Sequence, residues 1–326
     1  MSQSAPHPPP NRARRAALML GAAVSLAGCE GFTPRMAEPP VATSPAPPPR
    51  AIATEIAFPE ATDHIRAHFV ALEARRLGDG MLRQTRNPAD LPFSDRDLEE
   101  VFVKIALFDE YTYTGGRIIQ RSAPSTLRRW ELPVRMGLEF GSSVPQSRQN
   151  ADRAFVGAYA GRLGRVTGHP VSLVDRGANF HILVLDETER QAIGPRLRQL
   201  VPGVDDVTVG LIEDLPLTIS CLVLAFSRSG TDVYSDAVAV IRAELPDLSR
   251  HACYHEELAQ GMGLPNDSPR ARPSLFNDTG EFGVLTVMDE QLLRILYDPR
   301  LRPGMREREA RPIIRRIARE LMGGQS

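Results

Sequence analysis

Neither sign of charge is in excess in this 326-residue chain, in which 39 lysines and arginines face 40 aspartates and glutamates. Without a field of one sign the chain lacks the long-range attraction that draws proteins to nucleic acid, so that class of partner is set aside. Cysteine is scarce, with only Cys29, Cys221 and Cys253. The apolar run from Ala16 to Leu26 is too short to cross a bilayer as a mature helix. There is no internal repeat, and no nucleophile-elbow pattern supports Ser-His-Asp catalysis. His255 has no second histidine four residues on, where Ala259 stands. Two histidines four apart are needed to turn both imidazoles toward one ion, and alanine offers no ligand atom.

At this length the chain holds one large domain or two smaller ones with sizeable cores. Its first segment reads as a targeting sequence. Arg12, Arg14 and Arg15 precede the apolar run, and Leu26-Ala27-Gly28-Cys29 places small residues just before a cysteine. The tetrapeptide resembles a bacterial lipobox. That resemblance implies residues 1–29 as a lipoprotein signal peptide, Cys29 as the lipidated residue, and a membrane-anchored protein on the periplasmic face of the cell envelope, at the inner or the outer membrane. Several acyl chains anchor stably because each buried methylene contributes about 0.8 kcal/mol. An ordinary secretory signal with a chance cysteine is the alternative, and it too takes the chain out of the cytoplasm. In an oxidising compartment Cys221 and Cys253 form either a disulfide, closing a loop of about 30 residues and adding about 3–4 kcal/mol, or two reduced buried thiols.

Residues 30–58 are rich in proline and alanine and read as a tether. Residues 59–120 read as a small helical N-terminal subdomain. Apolar positions Ile65, Phe69, Val70, Leu72 and Leu77 have helical spacing, and a second helix opens near Ser94 or Asp95. Residues 121–326 form the main domain. The segment from Arg128 to Gly141 alternates as a strand, a long helix follows from Ser147, and NFHILVLD is a buried strand. TISCLVLAFS and DAVAVIRAEL read as a strand pair around a Ser-Gly-Thr-Asp turn, a helix starts near Ser249, and two more helices close the chain. The expected fold is α/β (α+β), a mixed β-sheet with long helices.

Shifting the frame of HEELAQGMGLPND by one residue brings more of it into order. Its order Glu256-Glu257, Gln260, Gly263 and Asn266-Asp267 resembles the metzincin motif, and the resemblance implies Glu256, Gln260 and Asn266 at three ligand positions, Glu257 at the general-base position, Gly263 as a helix-exit glycine and Asp267 as a trailing aspartate. Downstream stand Ser274, Phe276 and a Leu285-Thr286-Val287-Met288-Asp289 segment that opens a helix. In this frame the segment resembles the metzincin peptidases, whose motif carries three histidines at the ligand positions and a methionine where Phe276 stands. The resemblance implies a zincin-like core in which Glu257 is catalytic only if the site is active. One carboxylate and two amide oxygens are poor donors for zinc and too few for calcium, so the expectation is no cofactor and no metal. The bland reading is a structural cluster in which Gln260, Asn266 and Arg272 donate to a buried Glu257.

RRWELPVRM, EELAQGMGLPNDSP, ARPSLFND and LLRILYDPRLRPGM also resemble an uncharacterised family of proteobacterial putative lipoproteins, the domain of unknown function 2927. That resemblance implies an envelope location and no established activity. Two readings of function follow: a non-catalytic peptidase-like binding or scaffold domain, partnered by an envelope polypeptide or cell-wall component, or a metal-dependent hydrolase with an oxygen-rich site. His251 and His255, four apart on one helix, are either extra metal ligands or ordinary surface histidines, and without a third ligand the surface reading is the expectation. Arg300, Arg302 and the run Arg311 to Arg319 form a solvated face or touch anionic headgroups.

Overall fold

The computed structural model describes residues 16–19, 58–114, 117–277 and 279–323. In chain order the elements are β1 (Ala16–Met19), α1 (Phe58–Gly78), α2 (Asp95–Ala106), β2 (Phe108–Thr114), β3 (Arg117–Pro124), β4 (Arg129–Trp130), β5 (Val134–Phe140), α3 (Gln146–Thr167), β6 (Val171–Leu173), β7 (Phe180–Leu185), α4 (Glu187–Gln191), α5 (Gly194–Leu200), α6 (Asp206–Glu213), β8 (Cys221–Ser227), β9 (Val233–Arg242), α7 (Asp247–Gln260), α8 (Val287–Leu296) and α9 (Glu307–Gly323). Cys29 and the tether up to residue 57 lie outside the described residues. No helix among the described residues is long and apolar enough to cross a membrane.

The main sheet runs β1-β8-β9-β7-β5-β6, with β4 also on β9. Strands β9, β7, β5 and β6 are parallel, and β8 is antiparallel to β9, closing the strand pair expected around the Ser-Gly-Thr-Asp turn. The fold is therefore mixed α/β. The segment Ala16–Met19, inside the stretch read as a signal peptide, lies antiparallel on the outer edge of β8, where unpaired backbone groups accept an extended segment.

Alternation along the central strands places the core on both sheet faces. Phe180, Ile182 and Val184 of β7, Cys221, Val223 and Ala225 of β8, and Ala237, Ala239 and Ile241 of β9 join one apolar cluster with α2, α3, α7, α8 and α9. The intervening Leu183, Leu185, Leu222, Leu224, Phe226, Val238 and Val240 join a second cluster with Ile193, Leu197 and Ile212. Strands buried on both faces read as continuous apolar runs, which is what NFHILVLD and TISCLVLAFS are.

Two expectations change. The strand read as continuous from Arg128 to Gly141 is broken into β4 and β5 at Glu131-Leu132-Pro133, because proline has no N–H to give a sheet ladder. Within 59–120 the chain is helical over α1 and α2, but Phe108–Thr114 and Arg117–Pro124 form a β-hairpin. Helix α2 opens with a capping box between Ser94 and Asp97 and buries Leu98, Val101, Phe102 and Ile105 in the main core. On its other side Glu99 accepts from Arg311 at 2.8 Å and from Arg315 at 2.8 and 3.0 Å, so part of the basic run on α9 is turned inward to α2.

Helix α7 lies against β8 and β9 and is buried along most of its length. Asp152 of α3, 0% exposed, accepts from Arg250 Nε at 3.0 Å and from Tyr254 Oη at 2.9 Å. Arg250 also donates to Asp247 at 2.9 Å. At the far end of α7, Trp130 Nε1 donates to the Gly261 carbonyl at 2.8 Å, and Tyr297 Oη to the Met262 carbonyl at 2.9 Å. Gly263 then leaves with φ +129°, and a Cβ there would run into the Arg128 carbonyl oxygen. That conformation and that approach both require glycine.

Asp152→Ala is expected to destabilise the protein by about 3–5 kcal/mol, because Arg250 would keep its buried charge and lose its buried partner, retaining only the exposed Asp247. Equilibrium urea denaturation measures this, and a loss within about 0.5 kcal/mol would place the pair among neutral surface contacts.

Candidate functional site

The site residues gather where α7 ends and along the loop from Gly261 to Thr286 that leads into α8. Asp289 organises that loop. Thr286 caps α8 and makes a reciprocal capping box with Asp289, as the Leu-Thr-x-x-Asp pattern predicts. The carboxylate further accepts from Ser274 Oγ at 2.5 Å and from the Leu275 N–H at 3.1 Å. Burial pushes the Asp289 carboxyl up, opposed by the bonds from Ser274, Thr286 and Leu275. Ser274 Oγ in turn accepts from the Phe276 N–H at 3.0 Å, and Phe276 is buried in the main core. Ser274, Phe276 and Asp289 thus form one buried turn.

The three ligand positions do not offer a zinc donor set. Gln260 Nε2 donates to Asp267 Oδ1 at 3.0 Å. Asn266 faces away toward α2, its Nδ2 donating to the Lys104 carbonyl at 2.9 Å and its N–H to that of Ile105 at 3.2 Å. Asn266 therefore satisfies the last turn of α2, whose terminal carbonyls have no partner within the helix. Glu256 is half-buried. Imidazole is missing from all three, and Asn266 is held elsewhere, so these residues do not fit a peptidase zinc.

Glu257 is 0% exposed, and neither carboxylate oxygen has a hydrogen-bond partner. None of the expected donors reaches it. Gln260 and Asn266 are committed as above, and Arg272 donates to Glu281 at 2.7 and 2.9 Å. Burial, then the neighbouring Glu256 and Asp267, push the Glu257 carboxyl well above the usual range, so it is held in its neutral form. This corrects the expected donor cluster: Glu257 is a buried acid without a hydrogen-bond partner.

The structure also brings in a residue that spacing had placed only in a disulfide. Cys221 and Cys253 are bonded, with Cα atoms 6.0 Å apart, joining β8 to α7. Cys221 Sγ and one carboxylate oxygen each of Glu256 and Glu257 lie within 4.8 Å of one another. A disulfide sulfur is a weak metal ligand, since thiolate is the binding form.

His255 is not at the surface. It is 9% exposed and packs edge-on to Tyr159 with ring centroids 4.5 Å apart, while Tyr159 Oη donates to its carbonyl at 2.7 Å. Burial, with Arg162, His251 and Arg86 adding to it, pulls its imidazole down to about 3, so it is neutral. His251 is half-buried and stacks on Phe155, centroids 4.1 Å apart and rings 4° from parallel. The one cue to the Asp152 pair was its register, one turn before Val156 on the buried stripe Val156, Tyr159, Ala160 and Leu163.

Glu257 supplies a pH signature. Its folded carboxyl titrates above its unfolded value, so its share of stability is complete below about pH 4.3, where both states are protonated, and is lost as pH rises through the folded value. Glu257→Gln is expected to flatten the fall in urea midpoint as pH rises above the ordinary carboxylate range, and parallel profiles for both proteins would contradict a neutral buried acid.

The family described as "Protein of unknown function (DUF2927)" matches residues 95–316, from the start of α2 to within α9. No curated protein and no solved structure matches the chain.

Proposed function

The chain belongs to the DUF2927 family, and from that premise we propose that it is a non-catalytic, lipid-anchored cell-envelope domain. In this reading a peptidase-like scaffold, degenerate at its metal site, binds an envelope polypeptide or another cell-wall component. The observation that carries it is the state of Glu257. A general base has to reach a water molecule beside the scissile bond and exchange a proton with it. Glu257 is wholly buried and without a partner, the Gln260 Nε2 is given to Asp267 while its Oε1 is buried and unbonded, and the Asn266 amide is turned to α2.

Kinship with metzincins is part of the same proposal. What supports it is the helix-exit glycine with positive φ at Gly263, the turn in which Ser274 and Phe276 meet Asp289, and the capped helix that follows. The location rests on the Leu26-Ala27-Gly28-Cys29 tetrapeptide, and the disulfide lends it weaker support, because such bonds persist in oxidising compartments. The membrane is then a partner through the acyl chains on Cys29, and the folded part stands off it on the proline-rich tether.

Elemental analysis of a soluble form lacking residues 1 to 29, with peptide-hydrolysis assays with and without chelator, tests the non-catalytic reading. Substoichiometric zinc and no chelator-sensitive cleavage are expected. Stoichiometric zinc with chelator-sensitive cleavage would instead make the protein a metal-dependent hydrolase with Glu257 as its base. The anchor is tested separately: Cys29→Ser is expected to move the protein from the membrane fraction to the soluble fraction, and a variant still in the membranes would exclude lipidation at Cys29 as the anchor.

A further inference from the structure

The Glu257 carboxyl is buried, has no hydrogen-bond partner, and points into a cluster whose other members are Glu256 and the Cys221 sulfur. Nothing in the fold explains an acid placed there, since an apolar residue of similar size would avoid the cost of desolvating a carboxyl without a bond. The same place holds the disulfide. Its second sulfur, on Cys253, sits one helical turn before Glu257 on α7, so the two side chains share a helix face. Strand β8 supplies Cys221 from the opposite side, in a register fixed by its pairing with β9.

We propose that reduction of the Cys221–Cys253 disulfide opens a binding site for a zinc-like divalent cation, held by Cys221, Glu257 and Glu256, with Cys253 as the fourth donor. In the oxidised chain both sulfurs are spent on each other. A dithiol or phosphine reductant delivers two electrons to the S–S bond, and two protons complete the thiols, the reductant leaving as a disulfide or, with water, as a phosphine oxide. Cation binding then displaces the protons of both thiols and of Glu257.

The donor chemistry selects the ion. Thiolates favour borderline and soft cations such as zinc, cobalt or cadmium over calcium and magnesium, and a carboxylate completes such a set. Bond lengths of about 2.0–2.3 Å around a tetrahedral ion put neighbouring donors about 3.5 Å apart. Cys221, Glu256 and Glu257, already within 4.8 Å of one another, close that gap by side-chain rotation, and the Cys253 sulfur enters from the bond it shared with Cys221. Arg76 of α1 is attracted to Glu256 and offsets part of the negative charge that the donors bring. Binding also gives the Glu257 carboxyl the partner it lacks. This site differs from the peptidase one: Asn266 takes no part, and Glu257 is a ligand. The non-catalytic reading concerns the oxidised protein and stands or falls independently.

Cobalt(II) is the probe, titrated without oxygen into the full-length protein, once oxidised and once reduced with a phosphine. The reduced protein is expected to bind stoichiometrically and to show sulfur-to-cobalt charge transfer with tetrahedral ligand-field bands, and the oxidised protein to show neither. Glu257→Gln, reduced, is expected to keep its circular dichroism and bind cobalt about tenfold or more weakly. Cys221→Ser is expected to lose part of the charge-transfer intensity. Absence of the charge-transfer band in the reduced protein would overturn the proposal. So would equal affinity in Glu257→Gln, or a reduced chain that unfolds and is not refolded by the metal.

Discussion

Helix α7 has to lie flat on the sheet, and almost every notable feature of this molecule answers to that seating. The helix is buried along most of its length, so its polar groups meet partners or go without. Its first turns are held to α3 by Asp152, Arg250 and Tyr254, its middle to β8 by the disulfide, and its last carbonyls by Trp130 and Tyr297. A buried ion pair with its remaining donors satisfied fixes orientation more than it adds net stability, because desolvation offsets much of the Coulomb gain. The disulfide acts instead on the unfolded chain, by restricting a loop whose ends are 32 residues apart in sequence.

Within that tightly bonded frame Glu257 is an exception, and exceptions of this sort are informative. Asp289, equally buried, is surrounded by donors and organises a turn. Glu257 is surrounded by acids and sulfur and organises nothing in the oxidised protein. Folded structures tolerate such groups where a function or a second state gives them a use. Two separate properties of that carboxyl enter the two proposals, its inaccessibility to a substrate in the oxidised protein and its proximity to Cys221 in the reduced one, so each is tested apart from the other.

Much of the fold was legible because the relevant signals are local. Ser94 three residues before Asp97, and Thr286 three before Asp289, mark helix starts by capping chemistry. The apolar runs at β7 and β8 mark strands covered on both faces, and Gly263 marks a left-handed exit from a helix. Pro133 announced a break in the first long strand that the alternation of its neighbours concealed. The hairpin of β2 and β3 was read as the end of a helical subdomain.

The sequence by itself determined the long helices and the central strands β7, β8 and β9 of the mixed α/β fold, and narrowed the disulfide to a single possible pair once Cys29 was assigned to the lipobox. These follow from spacing along the chain, or from a count that leaves one choice. Only the tertiary structure decided that Asn266 serves α2, that His255 is buried against Tyr159, that Arg272 belongs to Glu281, and that Cys221 stands beside Glu257. Each of those is a choice among several partners of equal chemistry. Side-chain direction and the packing of distant elements make that choice, and neither is written in the interval between two residues.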